Sequence, residues 1–394
     1  MENNSTKSAS ETIPFWRDIR VLRVLFQVIF LVGVLLLAGI LYMNMLRGLR
    51  GLGLTLNLDF LNDEAGFGIA EGIAYEPSDT YLRAFWVGVI NTIRVSIIGI
   101  VCATILGLVV GIARLSSNWL VRTIAAIYVE CFRNIPLLLQ ILFWYTAVIL
   151  QLPSVRKSFT FFGGVFINQR GVYLPEPQPT SGVKIWFGYL VGGLILALIL
   201  YLVRLRKLRQ MEQPGFPAKW ALPAFLLVAF VGWFLTPGRP YTWELPALKG
   251  FNFAGGIYLS PEFSALLVGL VIYTGAFIAE VVRSGIQSVA KGQREAAKAV
   301  GLNEFQTLRL IVLPQALRVI APPLTSQYLN LTKNSSLAVA IGFPDLFNIG
   351  NTMMNQTGQS IPIFGMIMMS YLIISLATSA YMNWYNRRIN RIGR

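Results

Sequence analysis

Apolar residues fall along this chain in long runs separated by short polar stretches. Runs near 21–43, 86–112, 123–150, 185–203, 220–236, 263–283, 322–343 and 362–384 each approach or exceed the roughly 20 residues that cross a bilayer as a helix. The pattern therefore predicts eight spans. The first is too long for the apolar core of a signal peptide and is followed by Asn44-Met-Leu-Arg47, so it reads as an uncleaved helix. The 322–343 run is interrupted by Lys333, Asn334, Ser335 and Ser336. Loops near 44–85, 151–184 and 237–262 are rich in Gly, Pro and aromatic residues. Two of them carry a short echo, Gly171-Val-Tyr-Leu174 and Gly256-Ile-Tyr-Leu259, too brief to define a repeat.

Composition agrees with a membrane protein. Of 394 residues, 55% are hydrophobic and 13% charged, against about 25% charged in soluble domains. The net charge of +15 fits basic cytoplasmic loops better than a nucleic-acid surface. An even number of spans places both termini on one side. Loops and tails on that side hold 21 Lys and Arg, and the opposite loops nine, which predicts that both termini are cytoplasmic. Histidine is absent, which removes His metal ligands and His-dependent triads. Cys102 and Cys131 are too few for a disulfide framework and read as small buried hydrophobes. Gly107-Leu-Val-Val-Gly111 fits close helix packing within the chain. Phe15-Trp-Arg-Asp-Ile-Arg20 has the aromatic and basic character of a membrane-surface segment.

One polar stretch, residues 284–320, stands apart from the spans. Ser288 to Val300 is rich in helix formers, and Gly301 suits a left-handed C-terminal cap. Asn303 with Gln306 then approximates a capping box for a second helix. Pro314 is expected to kink or end that helix. The prediction is a short helix-turn-helix outside the bilayer, its first helix presenting Ala296, Ala297 and Ala299 beside Glu295. Such a small-residue surface fits a groove on a partner, and it also fits a plain interfacial loop.

Charged and polar residues inside spans are the other candidates. Glu130 and Arg133, and likewise Glu280 and Arg283, lie three apart and near the predicted cytoplasmic ends of their spans. That spacing permits local ion pairs, serving either structure or a gate. Asn134 adjoins the first pair. Gln140, in mid-span, has the chemistry to bond a neighbouring helix. Lys333 with Asn334 and Ser335 offers donors to a carboxylate-bearing substrate, or snorkels to the interface. Arg94, toward the outer end of its span, has the same two options.

The stretch Glu295-Ala296-Ala297, three residues, Gly301, nine residues, Ile311-x-Leu313-Pro314 resembles the EAA loop of ABC-importer permeases, with the spacing matched without a gap. Tyr128-Val-Glu-Cys-Phe-Arg-Asn-Ile-Pro136, Tyr273-Thr-Gly-Ala-Phe-Ile-Ala-Glu280, Pro314-Gln-Ala-Leu-Arg318 and Thr325-Ser-Gln-Tyr-Leu-Asn330 resemble the polar and general L-amino acid branch. Thr332-Lys-Asn-Ser-Ser336 and Asn383-Trp-Tyr-Asn-Arg-Arg388 do so too.

This resemblance implies an all-α polytopic membrane protein with about eight transmembrane helices around a type I importer core. It divides the chain into an N-terminal tail, first helix and outer loop (1–83), a first core part (84–150), outer loops with an inserted hairpin (151–250, spans within 185–236), and a second core part (251–394). It implies a permease in the bacterial inner membrane, importing L-amino acids with no ATP site of its own. No GxxxxGK[ST] phosphate loop occurs in the sequence. Two ATPase subunits carrying Mg-ATP, a second permease (a copy of this chain or, as the branch favours, a different homologous one), and an extracytoplasmic binding protein are the implied partners, alongside membrane lipid and no nucleic acid. Glu295 would give the ATPase a polar contact, Ala296 and Ala297 close approach, Gly301 the turn, and Leu313 and Pro314 the end of the motif. A stand-alone ion-coupled transporter is the alternative. It needs mid-membrane acids or histidine, and Glu130 and Glu280 lie near span ends. An intramembrane enzyme would need a nucleophile–base pair or metal cluster, and none is visible.

Overall fold

The computed structural model describes residues 19–51, 57–211 and 216–391. Most of Phe15–Arg20 lies outside them. In chain order the first elements are helices α1 (Ile19–Gly51), α2 (Tyr81–Ala113), α3 (Trp119–Asn134) and α4 (Leu137–Phe143). Strands β1 (Phe159–Phe161), β2 (Val165–Asn168), β3 (Gly171–Leu174) and β4 (Glu176–Pro179) follow. Helices α5 (Val183–Gln210) and α6 (Ala218–Leu235) precede strands β5 (Tyr241–Glu244), β6 (Ala247–Lys249), β7 (Asn252–Ala254) and β8 (Ile257–Leu259). Then come α7 (Pro261–Gln287), α8 (Lys291–Ala299), α9 (Glu304–Thr307), α10 (Leu313–Asn334), α11 (Leu346–Thr357) and α12 (Ser360–Arg391).

Among the described residues seven helices are long and apolar enough to span, and the bent pair that begins with α3 and α4 makes an eighth if it is counted as one span. The expected span at 123–150 falls on that pair, whose two arms are bent by 105° from one another. Proline explains the break. Ile135, the residue before Pro136, is extended at φ −94°, ψ 129°, as crowding by the proline ring requires. The Gln140 amide then crosses the break, donating to Phe132 O at 2.9 Å and Ile135 O at 3.0 Å. These carbonyls would otherwise lack an intrahelical partner at the end of α3. So Gln140 bonds backbone at its own break rather than a neighbouring helix.

The core is a glycine-mediated pair. A Cβ added at Gly107 would lie 2.5 Å from Ile278 Cγ2 and 2.9 Å from Gly275 O; one at Gly111 would lie 2.8 Å from Ala279 O. Only glycine lets α2 and α7 approach this closely, as the Gly107–Gly111 spacing predicts. Leu266, Leu270, Ile278 and Leu331 are fully buried around this seam. A second cluster packs Ala84, Phe85 and Val87 of α2 on Leu346, Met353 and Ile363. Helix α1 is unburied along its whole span, and α5 packs on α6, with Trp186 Nε1 donating to Ala229 O at 3.1 Å. Cys102 is half-buried, whereas Cys131 is exposed on α3, against expectation.

Two of the outer loops, 151–184 and 237–262, contain short β strands that the sequence did not show. Strands run in the order β1-β2-β3-β8, with separate pairs β4-β5 and β6-β7. The Gly171–Leu174 and Gly256–Leu259 echo is two antiparallel neighbours: Val172 faces Leu259, Tyr173 faces Tyr258 and Leu174 faces Ile257. The loops before and after the α5–α6 hairpin thus close on one another at its base. Tyr258 OH donates to Arg170 O at 3.0 Å; burial pushes its pKa up to about 12, so it remains a donor at physiological pH. Helix α7 leaves this platform at Pro261 and ends at Gln287 beside α8. Its length of about 40 Å puts the platform and the polar hairpin on opposite sides of the bundle.

Candidate functional site

The polar hairpin is held by local bonds. Helix α8 spans Lys291–Ala299, shorter than the expected Ser288–Val300. Gly301 has φ +82°, and its N–H donates to Lys298 O while Leu302 N–H donates to Ala297 O, both at 3.0 Å. That pair of bonds is a Schellman cap and needs the left-handed residue at Gly301. Asn303 Oδ1 accepts from Gln306 N at 2.8 Å, and Gln306 Oε1 accepts from Asn303 N at 3.0 Å, completing the capping box. Lys298 Nζ lies 2.7 Å from Glu304 Oε1 across the turn.

Two details differ from the sequence reading. Ala297 is the one buried residue of α8, while Glu295, Ala296 and Ala299 are exposed on it. Pro314 does not end the second helix. The chain stays helical from α9 through a π turn at Leu308–Val312 into α10, and Glu304–Ile341 qualifies as one span. Pro314 sits two residues past the π turn, and the locally irregular backbone there accommodates its ring and missing N–H within a continuous helix. Leu313 is exposed beside it. The second arm of the hairpin is therefore the foot of a membrane helix.

The charged candidates form a network at the same end of the bundle. Glu280 accepts from both Arg283 and Arg114. Glu130 lies 3.9 Å from Arg114 and does not pair with Arg133, correcting the expected i,i+3 bridge. The Arg133 guanidinium stacks instead on Phe277, 5.1 Å from the ring centroid. Asn134 Nδ2 donates to Glu130 O at 2.7 Å, closing the end of α3. Arg114 is the residue that sequence reasoning missed. It caps α2, and nothing local shows that it meets α3 and α7.

Lys333, Asn334 and Ser335 stand apart, at the far end of α10 from the hairpin. Lys333 is exposed and has no ion pair among the described residues; Ser335 is buried and donates to Thr332 O at 2.9 Å. Arg94 neither snorkels nor stands free: it pairs with the buried Glu71 at 2.8 Å and lies over Phe263. Glu71 also accepts from Ser260 N at 3.2 Å, tying the first outer loop to the start of α7.

With this geometry in view, the comparisons are specific. Residues 190–391 match the family described as "Binding-protein-dependent transport system inner membrane component". YhdX of Escherichia coli (strain K12), provisionally assigned as an amino-acid ABC transporter permease protein, is 45% identical over 390 residues, covering 98% of this chain and 96% of that one. The general L-amino acid transport system permease protein AapQ of Rhizobium johnstonii is 43% identical over 336 residues, covering 85% and 84%. The glutamate/glutamine/aspartate/asparagine transport system permease protein BztB of Rhodobacter capsulatus is 38% identical over 401 residues, covering 93% and 92%. The chain belongs to the binding-protein-dependent transport system inner membrane components. It is a multi-span helical membrane subunit that works with other subunits, and membership of this family removes the stand-alone transporter as an alternative.

Proposed function

We propose that this chain is the permease of an ATP-driven importer of L-amino acids, forming half of the translocation path. The relatives' names support the substrate class. Both termini lie in the cytoplasm, as the Lys and Arg bias suggests. A different, homologous permease forms the other half, two ATPase subunits bind Mg-ATP below, and an extracytoplasmic binding protein delivers the amino acid above.

The observation that carries the coupling role is the continuity of the hairpin with the membrane helices. Its first arm follows α7 after a three-residue turn, and its second arm becomes α10. Glu295, Ala296 and Gly301 form the exposed elbow on which an ATPase seats. A closing motion there reaches two core helices without an intervening flexible loop, which is the physical requirement for a two-state coupling element.

The test is a mild-detergent pull-down of the tagged chain from its native host, with mass spectrometry of what accompanies it. A stoichiometric ATPase bearing a phosphate loop, with a second permease, is the expected result. A chain that comes down alone, and stays alone after crosslinking in intact membranes, refutes the reading.

A further inference from the structure

Two neighbouring cavities open at the hairpin end of the bundle, and they differ in chemistry. The smaller, about 540 Å³, is walled by Arg114, Arg122 and Arg283 with Glu130 and Gln287. The larger, about 1110 Å³, is an apolar groove between α2, α7, α10 and α12, walled by residues such as Leu108, Ile112, Val312, Leu324 and Tyr385. Gln287 borders both, so a polar head and an apolar tail can occupy them together.

Charge and depth select the occupant. Glu280 engages Arg114 and Arg283, and Glu130 approaches Arg114. Arg122 has no carboxylate partner among the described residues, its guanidinium reaching only Ser116 O at 3.4 Å. Arg114, Arg122, Arg133 and Arg283 against Glu130 and Glu280 leave a net positive charge, which suits an anionic phosphodiester headgroup. Trp119 on α3 and Trp384 on α12 are exposed at this end of the bundle, as side chains of the membrane interface are. Arg122 lies one helical turn from Trp119, at headgroup depth. Basic pockets between membrane helices on the cytoplasmic side are suited to anionic headgroups.

We infer that these cavities form one site for an anionic phospholipid, its phosphodiester on Arg122 and its acyl chains in the groove against α2 and α10. The lipid bridges α2, α3 and α7 to the foot of α10, beside the polar hairpin.

The test uses the intact complex purified in mild detergent, delipidated, and given back phosphatidylglycerol or phosphatidylcholine of identical chains. Native mass spectrometry counts the lipid retained. One phosphatidylglycerol per chain, in preference to phosphatidylcholine, is expected. Arg122→Gln should lower its retention about fivefold, the worth of one arginine at a membrane surface. Leu108→Trp, which fills the groove from its exposed side, should expel the lipid with every arginine intact. Equal retention of the two lipids, or no effect of Arg122→Gln, overturns the proposal. Displacement by inorganic phosphate alone would make this a small-anion site instead. A Leu308→Cys variant that crosslinks to the second permease in intact membranes would make the groove a protein interface, and would also overturn it.

Discussion

A side-chain series at Gly301 tests the coupling elbow. The residue has φ +82°, and a Cβ placed there meets nothing within 4 Å. Any substitution effect within the chain is therefore conformational rather than steric. The left-handed conformation costs an ordinary L-residue roughly 1–2 kcal/mol, asparagine being the main exception. Gly301→Asn should be nearly neutral, Gly301→Ala should cost about 1 kcal/mol, and Gly301→Val, β-branched, about 2 kcal/mol. At RT of about 0.6 kcal/mol, the capped turn loses about fivefold and about thirtyfold in population relative to open forms. Little packing opposes that loss, since Ala297 and Thr307 are the only buried residues from Lys291 to Leu310. Uptake of radiolabelled amino acid in cells, alongside membrane insertion and ATPase co-purification, gives the readout. The expected order is Gly, Asn, Ala, Val, with the Val variant inserted but inactive. Normal uptake by Gly301→Val refutes the coupling role. Equal loss in Asn and Val variants refutes the conformational argument and points to a partner surface that admits no side chain.

Three further outcomes are expected. Gly107→Ala drives a methyl into Ile278 and the Gly275 carbonyl, at 2.5 and 2.9 Å. It should cost about 1–3 kcal/mol and lower the thermal midpoint by size-exclusion assay, while Gly39→Ala, which meets nothing within 4 Å, leaves it unchanged. Gln140→Leu removes the donors to two carbonyls at the α3–α4 break, with a cost of about 1–3 kcal/mol per stranded group; unchanged protease resistance of the bent segment would show that Gln140 does not hold it. Lys333→Gln should raise the KM for transported amino acid without changing basal ATPase activity of the reconstituted complex. Unaltered transport kinetics would remove Lys333 from the translocation path.

The parts of this fold legible in the sequence are those set by local chemistry. Apolar runs located the spans because each must satisfy its own backbone in lipid. Gly301, Asn303 and Gln306 announced their caps because capping involves residues three or four positions apart. Non-local partners were not legible. Arg114 reaches Glu280 across 166 positions, and no spacing rule marks that pair. The short strands β3 and β8 carry too few residues for a period-two pattern, and they pair across the whole α5–α6 hairpin. Proline misled in both directions. Pro136 was masked by the hydrophobicity of its run yet breaks the helix, whereas Pro314 resembles a stop but follows a π turn through which the helix continues.

The arrangement constrains where motion can occur in the proposed cycle. The hairpin feeds α7 on one side and α10 on the other, and these two helices are not free to slide. Gly285 of α7 receives Ile320 of α10, with Ala316 behind it, leaving no room for even a methyl group. Helix α2 is locked to α7 through Gly107 and Gly111 in the same way. Packed interfaces of this kind shift as bodies rather than deform. A push on the hairpin therefore carries α2, α7 and α10 together. Beyond the π turn Leu308–Val312 at the root of the hairpin, backbone regularity is lost at the α3–α4 bend around Pro136, and at the 3₁₀ segment Ser335–Ile341 with left-handed Gly342 after it. Both breaks adjoin the polar candidates for the path, Gln140 at the first and Lys333 to Ser335 at the second. The rigid bodies transmit, and the irregular joints are the places where the path can open.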